Sequence, residues 1–144
     1  MSESIDDDEV LYRRIPASMN WYDPETDDLS ADAFRPHRSL DTTGLSLTRA
    51  QSESHPEFLG IEDAARGRSP HGYFVAILRA GDLREKGIEI VSCPEPDNLG
   101  HVELPQMNAG ARNSDRVLEW KEQLAKYLTR EVCGPFHDQS ASEP

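Results

Sequence analysis

The chain has 144 residues, of which 36% are hydrophobic, and its formal net charge is −12. This length predicts one domain with a core of its own. The negative charge disfavours sequence-independent binding to nucleic acids and to anionic membranes, because both repel an acidic surface.

No run of about 18 apolar residues is present to span a membrane, and the N-terminus lacks the basic and apolar segments of a signal peptide. The two cysteines, Cys93 and Cys133, are too few and too far apart for a disulfide framework. This cysteine content fits a reducing compartment. We therefore expect a cytoplasmic protein.

Negative charge is concentrated at the start of the chain, where residues 1–32 hold ten acidic and two basic residues. The first nine residues are polar and acidic, and we predict a disordered segment over 1–9. Residues 10–136 are predicted to form the domain, and residues 137–144 a flexible polar tail.

The sequence of the first half of the domain predicts short strands and helical segments separated by turns. Residues 10–15 have the composition of a strand. After an acidic loop, Ser30 is placed to cap a short helical turn, and residues 45–48 alternate as a strand does. A capping-box spacing predicts a helix over about 55–66.

The second half contains the longest apolar strand and the strongest helix. Residues 73–78 form a nearly unbroken apolar run, which is typical of a strand covered on both faces. Shorter strands are predicted over 88–92 and 101–104. Ser114 is placed to cap a helix with an apolar seam, which the dipeptide Gly134-Pro135 is expected to end.

These elements predict the α+β class, with a mixed sheet of about five short strands packed by two main helices in a single compact domain. The connection between 73–78 and 88–92 is nine residues long. Because a parallel crossover normally needs about ten or more residues, the pairing of these two strands stays open.

A metal site is not expected. The pattern Asp23-x-Glu25-x-Asp27 resembles the start of a calcium-binding loop. The sixth place of such a loop needs Gly and holds Asp28, and the twelfth needs Glu and holds Phe34. The calcium interpretation therefore fails.

A cysteine and a histidine form one candidate site. Cys93 follows a predicted strand, and His101 begins the next one. A contact between them would favour a thiolate nucleophile, because a neighbouring imidazolium lowers the pKa of a thiol. The alternative is that Cys93 is a small buried residue and His101 a structural hydrogen-bonding group.

Three strand residues form a second candidate site: Arg13, Ser46 and Glu103. In this order they resemble the catalytic layout of ADP-ribosyltransferases. The resemblance implies an NAD-handling enzyme in which Arg13 contacts the NAD phosphates, Ser46 orders the pocket and Glu103 stabilises the oxocarbenium-like transition state. Two positions depart from the family's pattern, since Thr48 replaces a second Ser and His101 replaces Glu or Gln. The alternative is that Arg13 and Glu103 are solvent-facing strand residues and that Ser46 is a polar residue of an alternating strand.

The acidic opening third also carries aromatic residues, which fill the core or form an interface. A desolvated ring supplies affinity and acidic residues steer a basic partner. The predicted partner-binding residues are Trp21, Tyr22, Asp23, Glu25, Asp27, Asp28 and Phe34. We expect a non-catalytic module without a cofactor that binds a basic protein, as small acidic immunity or antitoxin-type proteins do. The NAD-handling enzyme is the alternative function, and the partner's identity and the oligomeric state stay open.

Overall fold

The strand that begins the domain lies in the middle of its main sheet. The structure is a computed structural model and describes residues 4–67 and 69–137. Within those residues lie eight strands: β1 (Val10–Pro16), β2 (Tyr22–Asp23), β3 (Asp28–Leu29), β4 (Leu45–Arg49), β5 (Tyr73–Arg79), β6 (Val91–Ser92), β7 (His101–Leu104) and β8 (Glu131–Phe136). Six of them form one sheet in the order β6-β7-β4-β1-β5-β8, and β2 pairs with β3 in a separate hairpin.

Three α-helices accompany the strands in the described part of the chain. They are α1 (Ile61–Ala64), α2 (Ala80–Glu85) and α3 (Asp115–Gln123), and α3 continues as a π-helical turn over Leu124–Leu128. Single 3₁₀ turns are formed by Ala17–Met19, Ala31–Phe34 and Ala109–Ala111. The hydroxyl of Ser114 accepts a hydrogen bond from the Val117 N–H at 3.2 Å and caps α3, as the sequence predicts.

Alternation along β4 separates an apolar sheet face from a polar one. Leu45 and Leu47 are buried in the core, whereas Ser46 and Thr48 point to the opposite side of the sheet. Helix α3 covers the apolar face, and its Trp120 is part of the same core. Burying a leucine in this way contributes roughly 1.5–3 kcal/mol. The polar face of β4 is left to form the wall of a cavity.

The predicted α+β class and single compact domain are confirmed, and the apolar run over 73–78 is strand β5. All strand pairs among the described residues are antiparallel, whereas the sequence predicts a mixed sheet of about five strands. The two strands whose pairing the sequence leaves open are not neighbours. Strand β5 pairs with β1 and β8, and β6 pairs with β7.

The predicted helix over 55–66 is reduced to the four residues of α1. The Gln51 N–H donates a hydrogen bond to the Leu59 carbonyl at 3.0 Å, which closes residues 51–59 into a loop. Gly60 has an extended backbone, with ψ at 170°. The helix can therefore begin only after Gly60.

Residues 131–136 form β8, although the sequence predicts that the last helix continues into them. Thr129 ends the helix because its N–H and its hydroxyl both bind the Leu124 carbonyl, at 3.0 and 2.8 Å. The Arg130 N–H then donates to the Ile77 carbonyl at 2.8 Å. This bond places the following residues beside β5.

Residues 4–9, which the sequence assigns to a disordered segment, contact the domain. Ile5 is buried in the core, and the Asp7 carbonyl accepts a hydrogen bond from the first turn of α2 at 2.7 Å. The carboxylate of Glu9 pairs with the guanidinium of Arg49, which is only 1% exposed. Part of the acidic opening segment therefore has a structural role.

The predictions of disorder for residues 1–3 and of a flexible tail for residues 138–144 fall outside the described residues. His137, the last described residue, is exposed. Over 4–67 and 69–137, no helix has both the length and the apolar character needed to cross a membrane.

Candidate functional site

A cavity of about 1030 Å³ opens on the polar face of the sheet, between β1, β4, α1 and the loop that joins β6 to β7. This volume is at the upper end of the range for small-molecule sites, roughly 300–1,000 Å³. Tyr12, Ser46 and Thr48 are among the strand residues that line it. Strand β1 pairs with β5 at seven positions but with β4 at two. Strands β1 and β4 therefore diverge beyond these two positions, and the cavity extends between them.

Arg13 fills the opening between β1 and β4. Its Nε donates to the Ala33 carbonyl at 2.9 Å, and its Nη1 donates to the Ser46 carbonyl at 3.0 Å. Burial lowers the pKa of Arg13 from its ordinary value, whereas the carboxylate of Asp41, itself 5% exposed, raises it. The guanidinium joins the two strands and brings positive charge into the cavity.

Five arginines line the cavity: Arg13, Arg14, Arg35, Arg66 and Arg112. Arg66 forms an ion pair with Asp63 at 3.4 Å. The other four arginines donate hydrogen bonds to neutral oxygen atoms. Arg13 donates to Ala33 and Ser46, Arg14 to Arg66, Arg35 to Asn113 and Arg112 to Pro36. Among the described residues, none of these four guanidinium groups has a carboxylate oxygen within 4.0 Å.

Carboxylates line the same cavity, and three of them have partners of their own. Asp32 pairs with Lys121 at 3.2 Å, and Asp63 pairs with Arg66. The carboxylate of Asp41 accepts a hydrogen bond from the His37 N–H at 2.6 Å. These acids are therefore already engaged within the protein.

Positive charge gathers around Arg112, and two unpartnered polar atoms belong to residues of the cavity lining. Burial lowers the pKa of Arg112, and the guanidinium groups of Arg35 and Arg38 lower it further, because like charges disfavour the charged form. Within the described structure, Arg35 Nε is a buried donor without a hydrogen-bond partner, and Asn98 Oδ1 is a buried acceptor without one. Both residues line the cavity, where a bound polar molecule would supply the missing partners.

Ser46 and His101 form a hydrogen-bonded pair in the cavity wall. His101 lies opposite Thr48 in the sheet and is therefore diagonal to Ser46 on the same face. Its Nδ1 is 3.0 Å from the main-chain carbonyl of Cys93, which can only accept, so Nδ1 carries the proton. A neutral ring with the proton on Nδ1 has its lone pair on Nε2. This nitrogen accepts a hydrogen bond from the Ser46 hydroxyl, whose Oγ is 3.2 Å away. Such an arrangement activates a hydroxyl as a nucleophile.

Two of the three residues of the ADP-ribosyltransferase-like set lie together. Arg13 and Ser46 line the cavity and are joined through the Ser46 carbonyl. Glu103 lies directly opposite Ser46 in the sheet, but its carboxylate accepts the Thr43 hydroxyl at 2.7 Å, and it is not part of the cavity lining. His101, two residues before Glu103, lines the cavity instead.

The thiol of Cys93 is not the group that contacts His101 in the described structure. The imidazole binds the main-chain carbonyl of Cys93, and the Sγ atom lies 3.6 Å from the Val91 carbonyl. Burial raises the pKa of the Cys93 thiol, and the carboxylates of Glu103 and Glu95 raise it further. Geometry and charge therefore both disfavour a thiolate nucleophile.

The predicted partner-binding residues divide between surface and core. The acidic ones are exposed in or beside the β2–β3 hairpin, at Asp23, Glu25, Asp27 and Asp28. Tyr22 anchors the hairpin, since its hydroxyl donates to Asp27 at 2.6 Å and its ring packs edge-on against Phe74 at 5.0 Å. Trp21 is half-buried and lines the cavity. Phe34 is fully buried, so its ring belongs to the core and is not available at the surface.

The sequence-based candidate sites do not include Arg35, Asn98 and Arg112. All three lie in loops or turns, where no periodicity marks a side chain as facing a cavity. One signal was present, because the basic stretch over 35–38 follows closely after the acidic residues 1–32. A local reversal of charge in an acidic chain is a reason to look for an anion site.

Within the described residues, no three His, Cys, Asp or Glu side chains are grouped as metal ligands. No protein-family model, curated protein or solved structure matches this chain.

Proposed function

We propose that the protein binds an anionic small molecule, carrying phosphate or carboxylate groups, in the cavity between β1 and β4. The observation that carries the proposal is the grouping of four arginines that lack a contacting carboxylate among the described residues: Arg13, Arg14, Arg35 and Arg112. The chain has 27 acidic and 15 basic residues. In such an acidic chain, a group of guanidinium groups without a contacting carboxylate favours an anion at that place.

The chemistry of the guanidinium group supports this class of ligand. Its N–H groups form paired hydrogen bonds with the oxygen atoms of phosphate and carboxylate. Burial lowers the pKa of Arg112, and the guanidinium groups of Arg35 and Arg38 lower it further, so both of these groups repel the charge of Arg112. A bound anion relieves this repulsion and also offers an acceptor to the unpartnered Nε of Arg35.

The remaining cavity wall favours a ligand that also has a planar or apolar part. Tyr12 and Trp21 provide aromatic rings on which a planar group can stack. Met19 and Leu40 line the cavity and are 48% and 77% exposed, so a ligand can cover them. The unpartnered Oδ1 of Asn98 is an acceptor for a ligand hydroxyl. These groups together suit a molecule of nucleotide size.

NAD is a specific candidate for this ligand. It carries phosphates, ribose hydroxyls and two planar rings, and the ADP-ribosyltransferase-like layout assigns its phosphates to Arg13. The shared position of Arg13 and Ser46 in the cavity wall supports this proposal. Glu103 would have to leave Thr43 to reach a bound ribose.

Isothermal titration calorimetry with pyrophosphate, AMP and NAD tests the proposal. We expect binding that weakens as salt is raised, because charged contacts are screened. Arg112→Gln is expected to weaken binding about tenfold, since it removes one charge-assisted hydrogen-bonding group. The matched control is Arg116→Gln, because Arg116 lies four residues further on, in α3 and outside the cavity lining. Equal affinities of the two variants, or no binding of any probe to the wild type, would overturn the proposal.

Release of nicotinamide tests the NAD-handling enzyme separately. The resemblance predicts that the wild type cleaves NAD and that Glu103→Gln stops the reaction. Bound NAD without any release rejects this enzyme and leaves the binding function in place.

We also propose a second function, in which the β2–β3 hairpin binds a basic protein. The supporting observation is that all four of its carboxylates are exposed and that Tyr22 holds the hairpin against the core. Opposite charges on two surfaces steer their association and fix its orientation. The immunity or antitoxin-type role is a proposal of this kind.

A pull-down from the native host at rising salt tests the second function. The hairpin variant combines Asp23→Asn, Glu25→Gln and Asp28→Asn, and it keeps Asp27 because that carboxylate binds Tyr22. The matched control neutralises three exposed acids elsewhere, with Glu85→Gln, Glu89→Gln and Glu119→Gln. We expect capture of a basic protein at low salt by the wild type and the control, and none by the hairpin variant. Equal capture by the two variants rejects this function.

A further inference from the structure

We propose that Ser46 and His101 are a nucleophile and its general base, and that the protein cleaves carboxylic esters that carry an anionic group. The 3.2 Å separation of Ser46 Oγ and His101 Nε2 is short enough for proton transfer. Both side chains line the cavity, so a substrate held there reaches them. The Cys93 carbonyl holds the ring in the tautomer that leaves Nε2 free to accept the proton.

Glu95 completes this arrangement as a positioning residue. Its Oε1 lies 3.9 Å from Nδ1 of His101, which is the ring nitrogen that does not face Ser46. When His101 takes up a proton, the carboxylate attracts the resulting cation. The Glu95 side chain is 53% exposed, so water screens this attraction and keeps it small. A serine, an imidazole and an acceptor that orients the imidazole are the parts of a serine-hydrolase triad.

The reaction balances with these groups and one water molecule. Ser46 Oγ attacks the carbonyl carbon of the ester, and its proton passes to His101 Nε2. The bond from that carbon to the alcohol oxygen breaks, and the proton passes to the departing oxygen. Water, deprotonated by the same nitrogen, then hydrolyses the acyl–serine bond, which releases the acid and restores the hydroxyl. The Arg13 guanidinium donates a hydrogen bond to the Ser46 carbonyl, and we assign it to the stabilisation of the developing oxyanion.

The anionic part of the substrate rests on the proposed function, because the arginines that attract it are those of the anion site. The nucleophile rests on separate observations, which are the hydrogen bonds of Ser46 and His101. The two parts can therefore be tested independently.

A fluorophosphonate probe tests the nucleophile, because an activated serine oxygen attacks its phosphorus and expels fluoride. We expect mass spectrometry of the wild type to show one adduct, mapped to Ser46 by peptide analysis. Ser46→Ala is expected to abolish labelling, and His101→Asn to slow it by about 10²–10⁴-fold. The matched control is Ser92→Ala, since Ser92 is a strand serine outside the cavity lining. An absent adduct at Ser46 in the folded wild type overturns the inference, and this measurement requires no variant to fold.

Glu95 is tested by two substitutions that differ in charge. Glu95→Gln is expected to slow labelling by up to about fivefold, which corresponds to the small energy of an exposed ion pair. Glu95→Asp is expected to restore the rate, because it returns the carboxylate. Equal rates of the two variants contradict the positioning role of Glu95.

Hydrolysis of two matched esters tests the anionic part. We expect kcat/KM to be at least about tenfold higher for 4-nitrophenyl succinate than for 4-nitrophenyl butyrate, and Arg112→Gln to remove the difference. Calorimetry of Ser46→Ala with pyrophosphate separates the two proposals. Retained anion binding with no wild-type labelling overturns the esterase alone. Labelling without anion binding, or equal rates for the two esters, overturns the anionic part of the substrate.

Discussion

Glu9→Gln is expected to destabilise the protein strongly, although Glu9 stands in a highly acidic stretch at the start of the chain. The carboxylate of Glu9 contacts the guanidinium of Arg49 through both of its oxygens, and the side chains of Arg49 and Glu9 are 1% and 11% exposed. Arg49 also donates to the Ser4 carbonyl and lies 4.6 Å above the ring of Phe58. The substitution keeps the shape of the side chain and removes the negative charge that faces the buried guanidinium.

The magnitude follows from the burial of the pair. Removing one partner of a buried ion pair costs about 3–5 kcal/mol, because the remaining charge stays desolvated. An unpaired surface carboxylate, in contrast, contributes less than about 0.5 kcal/mol. For a domain of this size each kcal/mol lowers the melting temperature by about 3–4 °C. We therefore expect the melting temperature of Glu9→Gln to fall by about 10–20 °C.

Urea unfolding and thermal melting of Glu9→Gln and Asp8→Asn measure this effect. Asp8 is the control, since it is an exposed acid one residue away and loses the same charge. If Glu9→Gln costs less than about 1 kcal/mol, or no more than Asp8→Asn, the structural role of the opening segment is refuted.

Three further perturbations test the fold. Gly72→Ala is expected to lower the free energy of unfolding by about 3 kcal/mol or more, and Gly87→Ala by about 1 kcal/mol. Both glycines have φ near +80°, but of the two only Gly72 would bring an added Cβ against a main-chain carbonyl oxygen. Equal losses of stability in guanidinium unfolding would contradict this. The hydrogen bond to Asp27 raises the pKa of Tyr22 to about 12, so Asp27→Asn should lower it towards the ordinary value near 10 in an ultraviolet titration. Because the folded-state pKa is the higher one, this stabilisation is complete below about pH 10 and is lost as the pH rises towards 12. The hydrogen bond from Arg130 lowers the pKa of Asp82, so we expect the wild type to be more stable than Asp82→Asn at pH 7. The stabilities of the two proteins should converge as the pH falls below about 4. A difference in stability that stays constant with pH would argue against this.

Local patterns predicted the elements whose signals are strong over many residues. The apolar run over 73–78 became β5, and the hydroxyl of Ser114 caps α3. Strand β8 was not predicted, because the sequence pattern continues the last helix into these residues. The helix ends earlier, where the hydroxyl and the N–H of Thr129 both bind the Leu124 carbonyl. Periodicity in the sequence does not reveal such a bond. The helix over 55–66 was predicted from one capping pattern, which the loop over 51–59 overrides.

The candidate site shows the same division. Ser46 and His101 were both candidates from the sequence, but in different sets, one with Arg13 and the other with Cys93. They meet because β4 and β7 pair with Thr48 opposite His101, and this register brings together residues 55 apart in the chain. Register depends on the whole sheet. Residue types therefore indicated the participants, and only the strand pairing showed which of them touch.

The central place of β1 has a consequence for how the chain reaches its native state. Its ladder with β5 joins Val10 to Arg79 at one end and Pro16 to Tyr73 at the other. During synthesis the middle of the sheet cannot close until more than half of the chain has emerged. Folds dominated by such distant pairings are slow, in milliseconds to seconds. Over that interval β1 lacks its central partner β5, and it carries the apolar residues Val10, Leu11 and Ile15. Charged residues beside such a segment disfavour edge-to-edge pairing between chains, and Asp6, Asp7 and Asp8 stand just before it.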